Sequence, residues 1–317
     1  MPRVKPGRGF GIGLVLLGAG LFIVNSGVSR VALRSGVDSL ELTTLRATGT
    51  VLALLVIAAV FQRGALRPPR GRQVPLILGL GLIGVALLQF LYFVALDRLT
   101  LGLALLLEYQ APFLVALWAK FVQRTPVTAR LWWGLGLAVT GLAAATEVWQ
   151  GASFDTVGVA AAMGAAVCFA AYFLFGEACQ SELSSLQVML WGFAVATVAL
   201  NLVQPIWLVD APFGDQVSLQ GNLDHLFVPL WLVIGWIVLP GTLVPFGVEL
   251  AALRYIPATL VTAIAMVEPV GASVLGWAWY DEALSLVSIL GCVTVVAGIL
   301  LAQSARAEHP ADPVPVT

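Results

Sequence analysis

Ionisable residues are scarce in this chain, and their scarcity excludes most soluble classes of protein. Only 10% of the 317 residues are Asp, Glu, Lys or Arg, whereas soluble domains carry about 25%. Hydrophobic residues make up 60% of the chain and the mean hydropathy is +0.96. A core of this size cannot hide so much apolar surface, so the sequence predicts an all-α integral membrane protein that has the lipid bilayer as a partner. The net charge of −1 provides no electrostatic basis for binding nucleic acid.

Side chains that bind metals or act as nucleophiles are also few. The chain has two histidines and three cysteines, and no pair of cysteines has C-x-x-C spacing. A zinc site or a disulfide framework is therefore not supported. The phosphate-loop, G-x-S-x-G and H-E-x-x-H patterns are absent from the sequence. We therefore expect no cofactor, no metal site and no enzymatic activity.

Long apolar runs dominate the sequence that remains. Runs of about 17–25 apolar residues are long enough to cross a bilayer as helices. The strand alternative fails because membrane strands alternate polar and apolar residues, and these runs do not. Ten runs meet the helical criterion, at 10–29, 40–61, 74–96, 100–122, 131–147, 156–175, 185–203, 226–249, 258–279 and 285–303.

The positions of lysine and arginine predict the orientation of these spans. With the N-terminus inside, twelve of the sixteen basic residues fall in cytoplasmic segments, which is the bias of inner loops. Both termini are thus expected in the cytoplasm. The loop at 204–225 becomes external and, with its prolines and glycine, is expected to be irregular. The tail at 304–317 is expected to be disordered.

Residues 252–302 repeat the pattern of residues 95–145 at an offset of 157. The positions that the two copies share include Leu103 and Leu260, Pro112 and Pro269, Gly134 and Gly291, and Gly141 and Gly298.

The turn inside each copy differs in charge, being basic at 120–130 and acidic at 281–282. Because basic turns stay on the cytoplasmic side, the copies are expected in opposite orientations. The sequence therefore predicts two inverted five-helix repeats, 10–147 and 156–303. Inverted repeats with interrupted helices are typical of secondary transporters.

Two acidic residues lie deep inside predicted spans. Glu268 is about 15 Å from the start of its span and Glu108 about 12 Å, at a helical rise of about 1.5 Å per residue. Placing a charge at such a depth costs about 2.5–3.5 kcal/mol or more, so these acids are candidates for binding a proton, a cation or a substrate ammonium. Pro269 and Pro112 follow them and are expected to break the helices and free backbone carbonyls. The alternative is that each is a protonated, purely structural glutamate.

Five further residues are candidate substrate or proton ligands. Arg46 could hold a carboxylate bidentately or could snorkel to the outer interface. Glu249 closes the eighth predicted span, where a pocket role and a surface salt bridge with Arg254 are both open. Tyr109, Gln110 and Asn25 lie within spans and could contact substrate or pack between helices.

At this point the sequence resembles the EamA branch of the drug/metabolite transporter superfamily over essentially its whole length. Residues 107–117, LEYQAPFLVAL, are similar to the LEFxGPLxVAL stretch of the threonine/homoserine exporter subgroup. Residues 245–253, PFGVELAAL, are similar to that subgroup's PYSLExxAL stretch, and MVEP at 266–269 follows. Two departures, Gln110-Ala111 and Phe246-Gly247, put threonine or homoserine specificity in doubt.

The resemblance implies a permease of the bacterial cytoplasmic membrane that exports small metabolites, plausibly amino acids, in exchange for protons. Small molecules and protons are the partners implied, and the oligomeric state stays open, with a homodimer among the alternatives. A broad-specificity drug or metabolite permease is the alternative within transport. From other classes, an intramembrane enzyme lacks a paired nucleophile and base, and a scaffold has no reason to keep acids at mid-depth.

Overall fold

A computed structural model describes residues 7–99, 101–125, 127–145, 147, 155–180, 182–281 and 285–304. These residues are mostly helical. The helices, in chain order, are α1 Arg8–Arg34, α2 Ser39–Phe61, α3 Gln73–Gly79, α4 Leu88–Arg98, α5 Leu101–Glu108, α6 Ala111–Phe121, α7 Ala129–Ala145, α8 Thr156–Cys179, α9 Ser185–Val203, α10 Leu230–Val238, α11 Val244–Ala252, α12 Ala258–Ala265, α13 Val267–Tyr280 and α14 Leu286–Ser304. The expected disordered tail after Ser304 and most of the connector at 148–155 lie outside the described residues.

Seven helical stretches are long and apolar enough to cross a membrane. They are Arg8–Arg34, Ser39–Phe61, Gln73–Tyr92, Thr156–Cys179, Ser185–Val203, Leu230–Ala252 and Ala258–Tyr280, and a shorter apolar helix covers Leu286–Ala302. The remaining predicted spans are shorter, because one is broken into α5 and α6 and α7 has 17 residues. Many large apolar side chains on the outer surface are exposed, Phe61, Leu202 and Val203 among them, which suits contact with lipid.

Several predicted boundaries differ from the structure. Helix α1 continues to Arg34 rather than ending at Ser29, and α8 continues to Cys179 rather than to Phe175. The prediction of a helix from Leu226 is wrong, because this part of the chain pairs as strand β2, Phe227–Pro229, with β1, Gln216–Ser218. The backbone hydrogen bonds of these residues go to the hairpin, and the helix begins at Leu230.

The spans that contain Pro112 and Pro269 are broken at equivalent places. Helix α5 ends at Glu108 and α6 begins at Ala111, whereas α12 ends at Ala265 and α13 begins at Val267. At the offset of 157, Tyr109 in the first break corresponds to Met266 in the second. Proline lacks the N–H group that would continue the hydrogen-bond ladder. The breaks therefore follow from Pro112 and Pro269, as the sequence predicts.

Two further irregularities of the backbone recur in both halves at about the offset of 157 residues. A π-helical segment at Leu80–Leu87 joins α3 to α4, and another at Leu239–Leu243 joins α10 to α11. The first packs against α8 and α9, and the second packs against α1 and α2. Arg124 and Asp281, which follow α6 and α13, both have left-handed backbones, with φ of 54° and 56°. Each half thus packs its π segment on the first two helices of the other half.

Helices α7 and α14 form the tightest contact between the halves. Gly134 lies against the backbone of Gly298 and Ala302, and Gly141 lies against the backbone of Gly291 and Val295. The order of these contacts makes the two helices antiparallel. Glycines at these crossings let the backbones touch, which is how membrane helices pack closely.

Substituting Gly141 by leucine is expected to destabilise the fold strongly. A side chain at this position meets the Gly291 carbonyl and the Val295 amide, which are backbone atoms and cannot rotate away. Overpacking of this kind costs about 3 kcal/mol or more. Gly136→Leu on the same helix is the matched control, since nothing lies within 4 Å of its added Cβ. Thermal unfolding in detergent tests this prediction, and equal midpoints for the two variants contradict it.

Candidate functional site

A cavity of about 560 Å³ lies where the two broken helices meet. Its wall is formed by α1, α2, α4, α5, α11 and α13. We call the face at which α1 and α13 end the open face, because the lining continues there through exposed Ser26 to half-buried Arg30 and Tyr280. The opposite face, at which α8 and α11 end, is called the closed face.

Glu268 and Tyr109 connect the two helix breaks. The Tyr109 hydroxyl donates a hydrogen bond of 2.9 Å to Oε2 of Glu268. Tyr109 sits in the break after α5, and Glu268 is the second residue of α13. The acid is half-buried in the cavity wall, with Pro269 beside it. One contact thus joins the equivalent breaks of both repeats at the cavity.

Glu108 and Arg46 bring both signs of charge to the same cavity. Glu108 is the last residue of α5, and Arg46 reaches the cavity from α2. Tyr92 of α4 lies within electrostatic range of Glu108, Arg46 and Glu268. In the described part of the chain, no hydrogen bond or ion pair neutralises the Arg46 guanidinium.

Asn25 and Glu249 also line the cavity and present polar atoms without partners. Asn25 is 5% exposed and Glu249 is 2% exposed. Asn25 Oδ1, packed against Gly241, and Glu249 Oε1 accept no hydrogen bond from any described residue. The alternative of a surface salt bridge between Glu249 and Arg254 is wrong, because Glu249 is buried.

Gln110 and Pro112 are not in the wall of the cavity. The Gln110 side-chain amide donates to the carbonyl of Leu106, 3.0 Å away. Pro112 is buried at the start of α6. The structure thus brings Glu268, Glu108, Arg46, Glu249, Tyr109, Asn25 and Pro269 together at the cavity and leaves Gln110 and Pro112 behind the break.

The floor of the cavity is aromatic. Phe246 of α11 packs edge-to-face on Phe22 of α1, Tyr172 of α8 and Phe193 of α9, with ring centroids 5.0, 5.5 and 5.3 Å away. Phe169 completes the floor on the other side and contacts Tyr109 at 5.9 Å. Such a layer separates the cavity from the closed face.

Hydrogen bonds hold the closed face together. The Arg254 Nε donates to Oε1 of Gln180 at 2.7 Å, and its Nη2 donates to the Leu183 carbonyl at 2.9 Å. The Gln180 side-chain amide donates to the Leu250 carbonyl at 2.8 Å. These contacts tie the end of α8 to the end of α11.

Comparison with known proteins identifies the family to which this architecture belongs. The sequence profile of the EamA-like transporter family matches residues 9–146 and 156–303. The chain belongs to the EamA-like transporter family. The family resemblance inferred from the sequence motifs is confirmed, and this EamA-like transporter is a multi-pass membrane protein.

Curated relatives carry transporter names. The chain is 30% identical to the threonine/homoserine exporter RhtA of Salmonella typhimurium over 249 residues, which is 78% of this chain and 76% of the relative. It is 28% identical to RhtA of Escherichia coli K12 over 248 residues, with the same two coverages. An uncharacterised transporter of Archaeoglobus fulgidus is 25% identical over 84% of this chain and 87% of its own.

A solved crystal structure supports the fold. It superposes on this EamA-like transporter with a TM-score of 0.69 at 20% sequence identity. The match covers 93% of this chain and 97% of the other. At that identity the likeness concerns the fold alone.

The sequence reasoning missed several residues of the cavity. Arg30 is not among the candidate residues drawn from the sequence, yet it lines the cavity with its guanidinium 4.6 Å from the centre of the Tyr280 ring. Positions 22, 26, 30 and 33 lie on one face of α1 at helical spacing. This spacing could have indicated from the sequence that Arg30 shares a face with other cavity residues. Gln89 carried no such signal, because it is a single amide in an apolar run.

Proposed function

We propose that this chain is a secondary transporter that exports small metabolites, amino acids in particular, in exchange for protons by alternating access. The observation that carries the proposal is the polar cavity at the junction of the two helix breaks. Its volume of about 560 Å³ falls within the range of about 300–1,000 Å³ typical of small-molecule sites. Interrupted helices around a central cavity are a recurring way to bind substrate in transporters.

The charges of the cavity favour a substrate that carries both signs. Glu268 and Glu108 are the proposed proton or ammonium partners, and Arg46 is the proposed partner of a carboxylate. Amino acids carry both groups, and the named relatives include threonine/homoserine exporters. The aromatic floor of Phe22, Phe169 and Phe246 supports the alternative, a permease for a wider range of apolar metabolites or drugs.

The proposed topology has ten membrane passes in two inverted halves. Two observations support a two-fold axis in the membrane plane. Helix α7 packs antiparallel on α14, and the π segment of each half packs on the first two helices of the other half. The bias of Lys and Arg supports cytoplasmic termini in a bacterial inner membrane. In that orientation the open face is external and the closed face is cytoplasmic.

Counterflow in proteoliposomes tests the proposal. Labelled threonine outside is exchanged against a panel of unlabelled amino acids inside, with and without an imposed pH gradient. Accumulation that some amino acids drive and the gradient alters is the expected result. Accumulation driven instead by a chemically varied panel of drugs supports the alternative permease, and no exchange with either panel contradicts transport of these classes.

Alternating access requires the closed face to open, and Arg254 is expected to resist this opening. Arg254→Ala removes hydrogen bonds to Gln180 and Leu183, and bonds to a charged group are worth about 1.5–3 kcal/mol each. We expect N-ethylmaleimide to modify Cys179, which is 2% exposed at the end of α8, at least about tenfold faster in this variant.

The reporter is measured in nanodiscs with Cys168 and Cys292 replaced by serine and alanine. Arg63→Ala is the matched control, because the one side-chain hydrogen bond of Arg63 to a described residue goes to the Ala59 carbonyl at the end of the neighbouring helix α2. An equal rate of Cys179 modification in both variants contradicts a gate at Arg254.

A further inference from the structure

Two polar side chains accompany the aromatic floor of the cavity, although its apolar packing does not require them. Glu249 Oε1 and the Tyr172 hydroxyl are buried, and neither has a hydrogen-bond partner among the described residues. The side chains are 2% and 1% exposed. Leaving a buried polar group unpaired costs about 1–3 kcal/mol, and more for a charge. An unpaired buried polar group in a native structure calls for an explanation, and a role in the chemistry of the protein is one.

We propose that Glu249, with Tyr172 beside it, is a second proton-carrying site that receives protons from Glu268 and passes them to the closed face. The inference rests on the proposed function, since it names the route by which a transporter of this kind would move its coupling ion. It gives Glu249 a task distinct from holding the substrate.

The position of Glu249 on α11 fits a relay between two water-accessible spaces. Glu249 lines the central cavity together with Glu268. Leu253, four residues on and about 6 Å further along the helix axis, lines a cleft of about 670 Å³ on the closed face. Gln180 and Arg254 border the same cleft. Glu249 therefore lies at the wall of the central cavity and about one helical turn from the cleft on the closed face.

Few titratable groups surround Glu249, so few side chains can influence whether its carboxyl is protonated. Helix α1 presents Gly18 and Phe22 to this region, and α9 presents Met189 and Phe193, none of which titrates. The titratable groups within electrostatic range are Tyr172 from α8, Tyr109 from the break after α5, and Glu268 from α13.

No lysine or arginine in the described ranges lies within ion-pair distance of Glu249. A permanently ionised glutamate without a cation is costly at this depth. A carboxyl that takes up and releases a proton during the cycle is consistent with this environment.

The transfer itself is a simple proton exchange. An O–H bond at the Glu268 carboxyl breaks and one forms at the Glu249 carboxylate, so Glu268 becomes the anion and Glu249 the neutral acid. Water in the cavity that both carboxyls line can bridge the two groups. Release to the closed face follows when the contacts of Arg254 with Gln180 open, and nothing is oxidised or reduced.

Two assays on Glu249→Gln and Tyr172→Phe separate this role from others. Exchange of labelled for unlabelled threonine at equal pH needs no net proton movement, whereas threonine transport driven by a pH gradient does. We expect Glu249→Gln to lower gradient-driven transport at least about 100-fold and to lower exchange far less, because exchange at equal pH needs no net proton transfer through Glu249. Tyr172→Phe is expected to lower gradient-driven transport about fivefold, because in the proposed relay the hydroxyl donates one hydrogen bond to Glu249 only while the proton is transferred.

Asp224→Asn is the control, because this acid is exposed on the open-face loop. Loss of exchange and gradient-driven transport together in Glu249→Gln would show a structural or substrate-binding role and overturn the relay, as would equal gradient-driven transport in variant and wild type.

Infrared titration of the purified protein gives a readout that does not depend on the substrate. Glu249→Gln is expected to remove one titrating carboxyl band, and Tyr172→Phe to shift it. If wild-type protein fails to exchange threonine but this band is present, the assigned substrate fails and Glu249 stands as a protonatable site. If no band is lost, Glu249 does not titrate and the relay is wrong.

Discussion

Replacing Glu268 with glutamine is expected to abolish pH-driven transport while leaving the protein folded. In the cavity, the Glu268 carboxylate accepts a hydrogen bond of 2.9 Å from the Tyr109 hydroxyl. Glutamine has nearly the same shape, and its amide oxygen can accept the same hydrogen bond. It cannot bind or release a proton, so the coupling step is lost. We expect gradient-driven transport to fall at least about 100-fold, the lower range for a positioned proton-transfer group.

The measurement is transport across proteoliposomes over a range of imposed pH gradients. Glu41→Gln serves as the control, because Glu41 lies outside the cavity at the start of α2 and only completes the cap at Asp38. Equal thermal midpoints for wild type and Glu268→Gln establish that folding is intact. Unaltered pH dependence in Glu268→Gln would falsify the assignment of this residue as the coupling acid.

Comparing Glu268→Gln with Glu249→Gln shows which of the two acids binds substrate as well as protons. If Glu268 binds both proton and substrate ammonium, its variant loses exchange at equal pH as well as gradient-driven transport. If Glu249 carries protons alone, its variant keeps exchange. The two carboxyls line one cavity, so geometry alone does not separate these roles, and the pair of assays does.

The helix breaks are the part of the site that the sequence predicted best. Pro112 and Pro269 act locally, through a missing N–H group and a ring that crowds the preceding turn. A local cause of this kind can be recognised from sequence, and the two prolines stand at equivalent positions 157 residues apart. The mid-span positions of Glu108 and Glu268 follow from a count of residues along a helix, and their depth in the membrane stays a prediction.

The floor and the closed face could not be predicted from sequence because they depend on contacts between distant segments. Phe246 meets rings from three other helices, and no periodicity in its own segment indicates which. Arg254 donates to Gln180, which is 74 residues away in the sequence, whereas Glu249, only five residues away, is buried. The hairpin at Gln216–Pro229 was likewise hidden, since apolar residues near Leu226 fit a helix start as well as a strand.

Arg46→Gln is expected to weaken binding of substrates that carry a carboxylate far more than binding of their uncharged analogues. The Arg46 guanidinium lines the cavity, and among the described residues it lacks a hydrogen-bonded acid. A guanidinium without a protein partner is suited to hold a substrate carboxylate through two parallel hydrogen bonds. Losing bonds to a charged group costs about 1.5–3 kcal/mol, or about 10- to 150-fold in affinity.

Inhibition of exchange by threonine and by its reduced amino alcohol measures this difference. We expect Arg46→Gln to raise the inhibition constant of threonine by that factor and to leave that of the amino alcohol nearly unchanged. Arg34→Gln is the matched control, because its guanidinium donates to Gln220 on the open face, outside the cavity lining. Equal losses for both compounds would place Arg46 in the protein's own packing rather than on the substrate, and the cavity would then have no assigned partner for a carboxylate.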